Sequence, residues 1–185
     1  MNLDENHKID LDKYDIIKLM GQNLNYVNNL LIQCKTDSKL YSLEIKRRTS
    51  INTTAFNFLI QFKHPTFVNL IGYICQSFQF EGKEYNNIPN EIGLLYEFCR
   101  NGNLVFNISN KTLNNTQKQI VLVGVSRAIS LLHQNHYMHL FITPESILLD
   151  DLFHPHLYGF HLMSLIDPDR EKMKPRIQRQ YKNFT

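Results

Sequence analysis

The chain has 185 residues, a formal net charge of +3, 43% hydrophobic residues and 20% charged residues. That balance excludes a disordered polymer, and the small charge excludes a surface dedicated to nucleic acid or anionic membrane. Three widely spaced cysteines, Cys34, Cys75 and Cys99, form no C-x-x-C pair, which argues against a zinc cage or a disulfide framework. The opening residues lack the apolar core of a signal peptide, and no apolar run is long enough to span a bilayer. The expectation is a soluble, cytoplasmic protein with no nucleic-acid or membrane partner.

Residues 1–13 are polar and read as a tail. Residues 14–20 alternate weakly and end at Gly21, a strand pattern. Two apolar-rich runs, 29–34 and 40–46, flank the polar turn 35–39 and read as a hairpin. In 55–62, Phe58, Leu59 and Phe62 fall at helical spacing, with Thr53 or Thr54 as N-cap and His64-Pro65 as the stop. Strands are expected at 68–75 and 76–80, a polar loop at 81–90, and a strand buried on both faces at 92–98. After Asn101-Gly102 the pattern changes. A long helix is expected over 116–135, its apolar residues Ile120, Val121, Val123, Ala128, Leu131 and Leu132 spread so widely around the axis that it reads as a core element. Short strands follow near 147–149 and 156–158, and the segment from 167 onward reads as an extended polar loop.

Four runs in order carry a family resemblance. His64-Pro65-Thr66-Phe67-Val68-Asn69-Leu70-Ile71-Gly72-Tyr73 resembles H-P-N-I-V-x-L-x-G-Y, and Leu94 to Leu104 (LLYEFCRNGNL) resembles L-V-Y-E-Y-x-x-N-G-S-L. Ala128 to His133 (AISLLH) resembles A-L-x-Y-L-H, and His139 to Asp150 (HLFITPESILLD) resembles H-R-D-L-K-P-E-N-I-L-L-D. Together they resemble a protein kinase domain, in particular the tyrosine-kinase-like group of serine/threonine kinases. The resemblance implies an α+β, bilobal fold: a β-rich upper lobe over 14–98, a partial helical lower lobe over 99–166, and an activation-segment-like tail over 167–185, where the family pattern breaks off.

The resemblance also assigns roles, and the residues depart from them. Phosphoryl transfer in kinases needs a base, two metal ligands, a lysine on the phosphates and a glutamate holding that lysine. Phe141 stands in the place of the base and Ser146 in that of the asparagine ligand. Gly159 stands in that of the aspartate ligand, and Ala55 in that of the helix glutamate. The lysine place falls on Glu44 if Ser42 lies over the adenine, or on Lys46 if Glu44 does. The first register is preferred, because a carboxylate against an apolar adenine face is unfavourable. Of the glycine-rich loop only Gly21 remains, with Asn23 and Asn25 at later positions.

Any nucleotide would use Gly21, Lys46, the hinge at Glu97 and Cys99, Leu148 as adenine floor and Tyr96 as gatekeeper. The four-residue packing stack that joins the lobes falls on Leu59, Leu70, His139 and Phe160, all suited to it. The expectation is a catalytically inactive pseudokinase acting as a binding or scaffolding module, with no metal, ATP and magnesium weak at most, and a protein partner on helix 116–135. The alternatives are a weak or atypical ATP-binding serine/threonine kinase and an unstable remnant of a kinase gene.

Overall fold

The computed structural model describes residues 3–22, 28–75, 78–80, 83–85 and 91–166. Five of the expected strands assemble into one antiparallel sheet in the order β1-β2-β3-β7-β4. These are β1 (Tyr14–Gln22), β2 (Asn28–Cys34), β3 (Leu40–Arg47), β4 (Leu70–Ile74) and β7 (Glu91–Glu97). The β2–β3 hairpin forms where the polar turn predicts it. Asp37 accepts from the Lys39 amide at 3.0 Å, and Ser38 takes a left-handed φ of 58°. β7 lies inside the sheet between β3 and β4 and is buried through Ile92, Leu94, Leu95 and Tyr96, as its continuous apolar run demands.

Two expectations are corrected. Residues 81–90 are not wholly loop: β5 (Phe78–Phe80) and β6 (Lys83–Tyr85) pair as a second antiparallel hairpin. The opening segment is not a free tail. The Ile9 amide donates to the Tyr73 carbonyl at 2.8 Å, and Leu11 is buried with Leu30, Ile32 and Leu43 on one face of the sheet.

The other face of the sheet carries α1 (Thr53–Gln61), which buries Ala55, Phe56, Phe58, Leu59 and Ile60. Its cap is Asn52, whose side chain accepts from the Ala55 amide at 3.1 Å, and not Thr53 or Thr54. An asparagine just outside the helix places its oxygen on an N-terminal amide with less backbone constraint than threonine. The helix stops at Phe62, two residues before the His64-Pro65 pair.

Beyond β7 the chain forms α2 (Leu104–Ser109), unexpected from sequence, then α3 (Asn115–Gln134). A reciprocal capping box opens α3: Asn114 and Gln117 exchange side-chain to amide bonds of 2.9 Å each. Val121, Ala128 and Leu132 form its buried stripe, while Leu122 and Val123 stay exposed. α3 packs on β10 (Pro155–Leu157) and β8 (Tyr137–Met138); β10 pairs with β9 (Ile147–Leu149), and β8 with β11 (Ser164–Leu165). A Cβ at Gly124 would overlap the ring of Pro155, so the close approach of α3 to β10 requires glycine there.

The two halves are stitched along the strip 66–68. Leu157 donates to Thr66 at 2.7 Å, and Val68 to Leu157 at 3.0 Å. One apolar cluster therefore runs from α1 and β4 through Phe67 to α3, β9 and β10. Among the described residues no helix is long and apolar enough to cross a membrane.

Candidate functional site

A cavity of about 230 Å³ opens between β3, α1 and the loop segments around Ser146 and Gly159. Glu44 and Lys46 enter it from β3. Alternation along a strand puts residues two apart on one face, so both side chains point inward from the same edge. Their charged ends meet at 3.0 Å, with side chains only 9% and 15% exposed. The phenol of Tyr158 also hydrogen-bonds Glu44, and its pKa is raised by burial first and by that carboxylate second. The ring of Tyr96 packs edge-on against Tyr158 at 5.4 Å, and burial followed by the Glu44 charge raises its pKa as well. The inner end of the cavity is thus an ion pair closed by two tyrosines.

The positions that the kinase resemblance assigns to chemistry surround the same space. Phe141, Ser146, Gly159 and Ala55 all line it, and none presents a free donor for a metal ion. The Phe141 ring rests edge-on against His161 at 4.7 Å. The Ser146 hydroxyl is occupied within its own loop: it donates to the Thr143 carbonyl and accepts from the Thr143 amide, both at 2.9 Å. Gly159 holds a left-handed φ of 83° and has no side chain to offer. Ala55 is 4% exposed and reaches nothing charged. Magnesium is a hard cation that needs several oxygen ligands, and these residues do not fit it. Among the described residues no cluster of three His, Cys, Asp or Glu side chains is placed to hold a metal.

Leu59, Leu70, His139 and Phe160 are buried at 4%, 0%, 2% and 6% exposure. The His139 and Phe160 rings lie 4.6 Å apart. The Phe141 amide donates to His139 Nδ1 at 3.3 Å, which leaves Nε2 carrying the proton toward the Tyr158 carbonyl at 3.0 Å. Burial drives the His139 pKa from 6.5 down to about 4, so the ring is a neutral packing element at neutral pH.

The hinge residues are not brought into this cavity, Tyr96 excepted. Glu97 points to the surface and pairs with Lys39 at 2.6 Å. Cys99 is buried, its thiol pushed up to about 12 chiefly by desolvation. Leu148 stands in β9 opposite His156. Gly21 lies in β1 opposite Asn29, which does line the cavity; Asn23 and Asn25 lie outside the described residues.

Two contributors escaped the sequence reading. Asn52 both caps α1 and donates to the carbonyls of His161 and Met163 at 3.2 and 2.7 Å, tying the helix to the segment after Gly159. Its position just before a helical run was the available signal. Tyr158 falls at a variable position of the resembled motif, and nothing in the linear pattern places its hydroxyl on Glu44.

Comparison with known proteins finds protein kinases at low identity. No protein-family model matches the chain. It is 27% identical to mouse ribosomal protein S6 kinase alpha-6 over 176 residues, covering 89% of this chain and 21% of that protein. It is 33% identical over 112 residues to a receptor-like serine/threonine-protein kinase of Arabidopsis thaliana, covering 58% of this chain and 28% of that protein. It is 33% identical over 89 residues to a rice protein described as a probable inactive leucine-rich repeat receptor kinase, covering 44% of this chain and 8% of that protein. The chain spans about a fifth of the length of the S6 kinase relative. These relatives support a protein kinase-like domain, and the α+β architecture described above is consistent with one.

Proposed function

We propose that this kinase-like domain, of tyrosine-kinase-like type, is a pseudokinase: it transfers no phosphoryl group and serves as a cytoplasmic binding or scaffolding module in signalling. The observation that carries the reading is the state of the two metal-ligand positions, one a glycine and the other a serine whose hydroxyl is spent on its own loop. Without those ligands the charge that develops on a transferring phosphoryl group has no stabiliser, and that stabilisation is the larger part of such catalysis. Phe141, in the position that the resemblance gives to the base, cannot accept a proton. The rice relative's description as probably inactive supports the same reading. Purified chain incubated with radiolabelled ATP, magnesium and a generic substrate should incorporate no more label than a heat-killed control. Incorporation that survives a second, orthogonal purification overturns the proposal.

A weak nucleotide-binding activity is the second reading, and Lys46 favours it, because an ammonium inside the cavity is a ready phosphate partner. Glu44 opposes it by holding that ammonium and by repelling phosphates. In a thermal-shift titration ATP with magnesium should move the melting temperature little, and Glu44→Lys should enlarge the shift. A neutral result for Glu44→Lys would instead favour Lys46 as the lysine-position residue.

A further inference from the structure

A groove of about 590 Å³ runs along one side of α3, between that helix, the turn at Pro65-Thr66 and the start of β10. Its floor is apolar: Pro65, Ile120, Val123, Gly124 and Pro155. The missing side chain at Gly124 is what lets Pro155 close one end. A second, shallower hollow of about 370 Å³ runs on past Leu122 and Ser126, and Val123 and Arg127 line both. The two form one track with Arg127 at its middle. Leu122 and Val123 are exposed by 68% and 49%, an apolar strip open to water.

Arg127 is the lysine or arginine side chain that lines this track. The chain has 17 carboxylates, yet none occurs between Glu97 and Glu145, or between Glu44 and Glu81. All of α3 and the Pro65 turn come from these acid-free stretches, while Lys111, Lys118 and Arg127 come with α3 and its approach. Arg127 makes no ion pair among the described residues. Asp150 is turned toward His154 and His156, at 3.2 and 3.4 Å. Asp151, beside it, is the exposed carboxylate near this end.

The geometry points to this track as a docking site for an acidic peptide segment of a partner protein, with aliphatic side chains seated on Val123 and Ile120 and a carboxylate held by the Arg127 guanidinium. An arginine fork matches a carboxylate bidentately, and Arg127 carries no competing ion pair among the described residues. The inference gives a partner class to the binding role proposed above, but it uses none of the cleft residues. It therefore stands or falls separately from catalytic inactivity.

The test uses the full chain and three short fluorescein-labelled peptides that alternate leucine with glutamate, glutamine or lysine, read by fluorescence polarisation. The glutamate peptide should bind at least about tenfold tighter than the other two, with affinity falling as salt rises. Arg127→Glu should weaken it by at least about tenfold. Val123→Asp should weaken it similarly, and Lys18→Glu on the distant β1 should leave it unchanged. Melting curves confirm that each variant is folded, and phosphotransfer assays on the same samples report on the cleft independently. Equal binding of the three peptides overturns the proposal, as does insensitivity to both Arg127→Glu and Val123→Asp. Sedimentation showing that the track instead joins two copies of this chain, with Arg127→Glu dispersing them, overturns it in favour of self-association.

Discussion

The Glu44–Lys46 pair allows a quantitative test of the cavity's interior. At 3.0 Å and an effective dielectric of about 20, the attraction is about 5 kcal/mol. Burying the two ions offsets most of it, since each loses several kcal/mol of hydration. The net value of the pair is therefore small, and the cost appears when one partner is left behind. Lys46→Met strands a carboxylate whose side chain is 9% exposed and leaves it only the Tyr158 hydroxyl; Glu44→Gln strands an ammonium that is 15% exposed and sits on a long, flexible stem. The expected losses are about 3 kcal/mol for Lys46→Met and about 2 kcal/mol for Glu44→Gln, and the double variant should return to within about 1 kcal/mol of the parent. For a chain of this size each kcal/mol shifts the melting temperature by roughly 2–4 °C. Urea melts of the four proteins give the coupling energy directly. Strictly additive losses, or a Lys46→Met variant as stable as the parent, would refute the buried pair.

Three further outcomes are expected. Asn52→Ala removes a helix cap and two bonds to the segment after Gly159, a loss of about 2–3 kcal/mol, with faster amide exchange in residues 161–165. A loss no larger than that of Thr53→Ala would count against the bridging role. Gly124→Ala gains about 1 kcal/mol of helix propensity but drives a methyl into the Pro155 ring, at about 1–3 kcal/mol, so thermal melts should show a net loss; a stabilised variant contradicts the close approach. His139 has its folded pKa lowered from 6.5 to about 4, so the unfolded state binds the extra proton. Its contribution, about 3 kcal/mol, is present above pH 6.5 and is lost as pH falls from 6.5 toward 4. His139→Leu should flatten stability against pH in that window, and an unchanged slope would contradict a buried neutral ring.

Elements governed by local signals were legible in the sequence. The hairpin around Asp37 and Ser38, the stop at His64-Pro65 and the long helix after Asn114 each have a short-range cause, and each lies within a residue or two of its expected place. α2 was missed because Leu104–Ser109 is too short to show a helical period; its start is held by bonds from the buried Asn107 side chain to the Asn101 and Asn103 carbonyls, which no apolar pattern announces. The β5–β6 pairing was missed for a similar reason, since strands of three residues carry little alternation. Within the cavity, inward alternation of Glu44 and Lys46 was readable from β3 alone. The partners that Tyr158 and Asn52 find were not, because those bonds join residues 109 to 114 positions apart and depend on how the halves close.

The Thr143–Ser146 box bears on how this chain can change over generations. Exchanging Ser146 for asparagine would remove a hydroxyl that satisfies two backbone groups of its own turn, so the loop would loosen before any new ligand was useful. Placing aspartate at Gly159 would force an L side chain into a φ of 83° and set its Cβ 3.4 Å from that same serine. Each exchange is unfavourable alone, the first through lost turn bonds and the second through the left-handed φ. A metal-binding loop at these positions would therefore need both exchanges, and the packing of the present loop resists the first step.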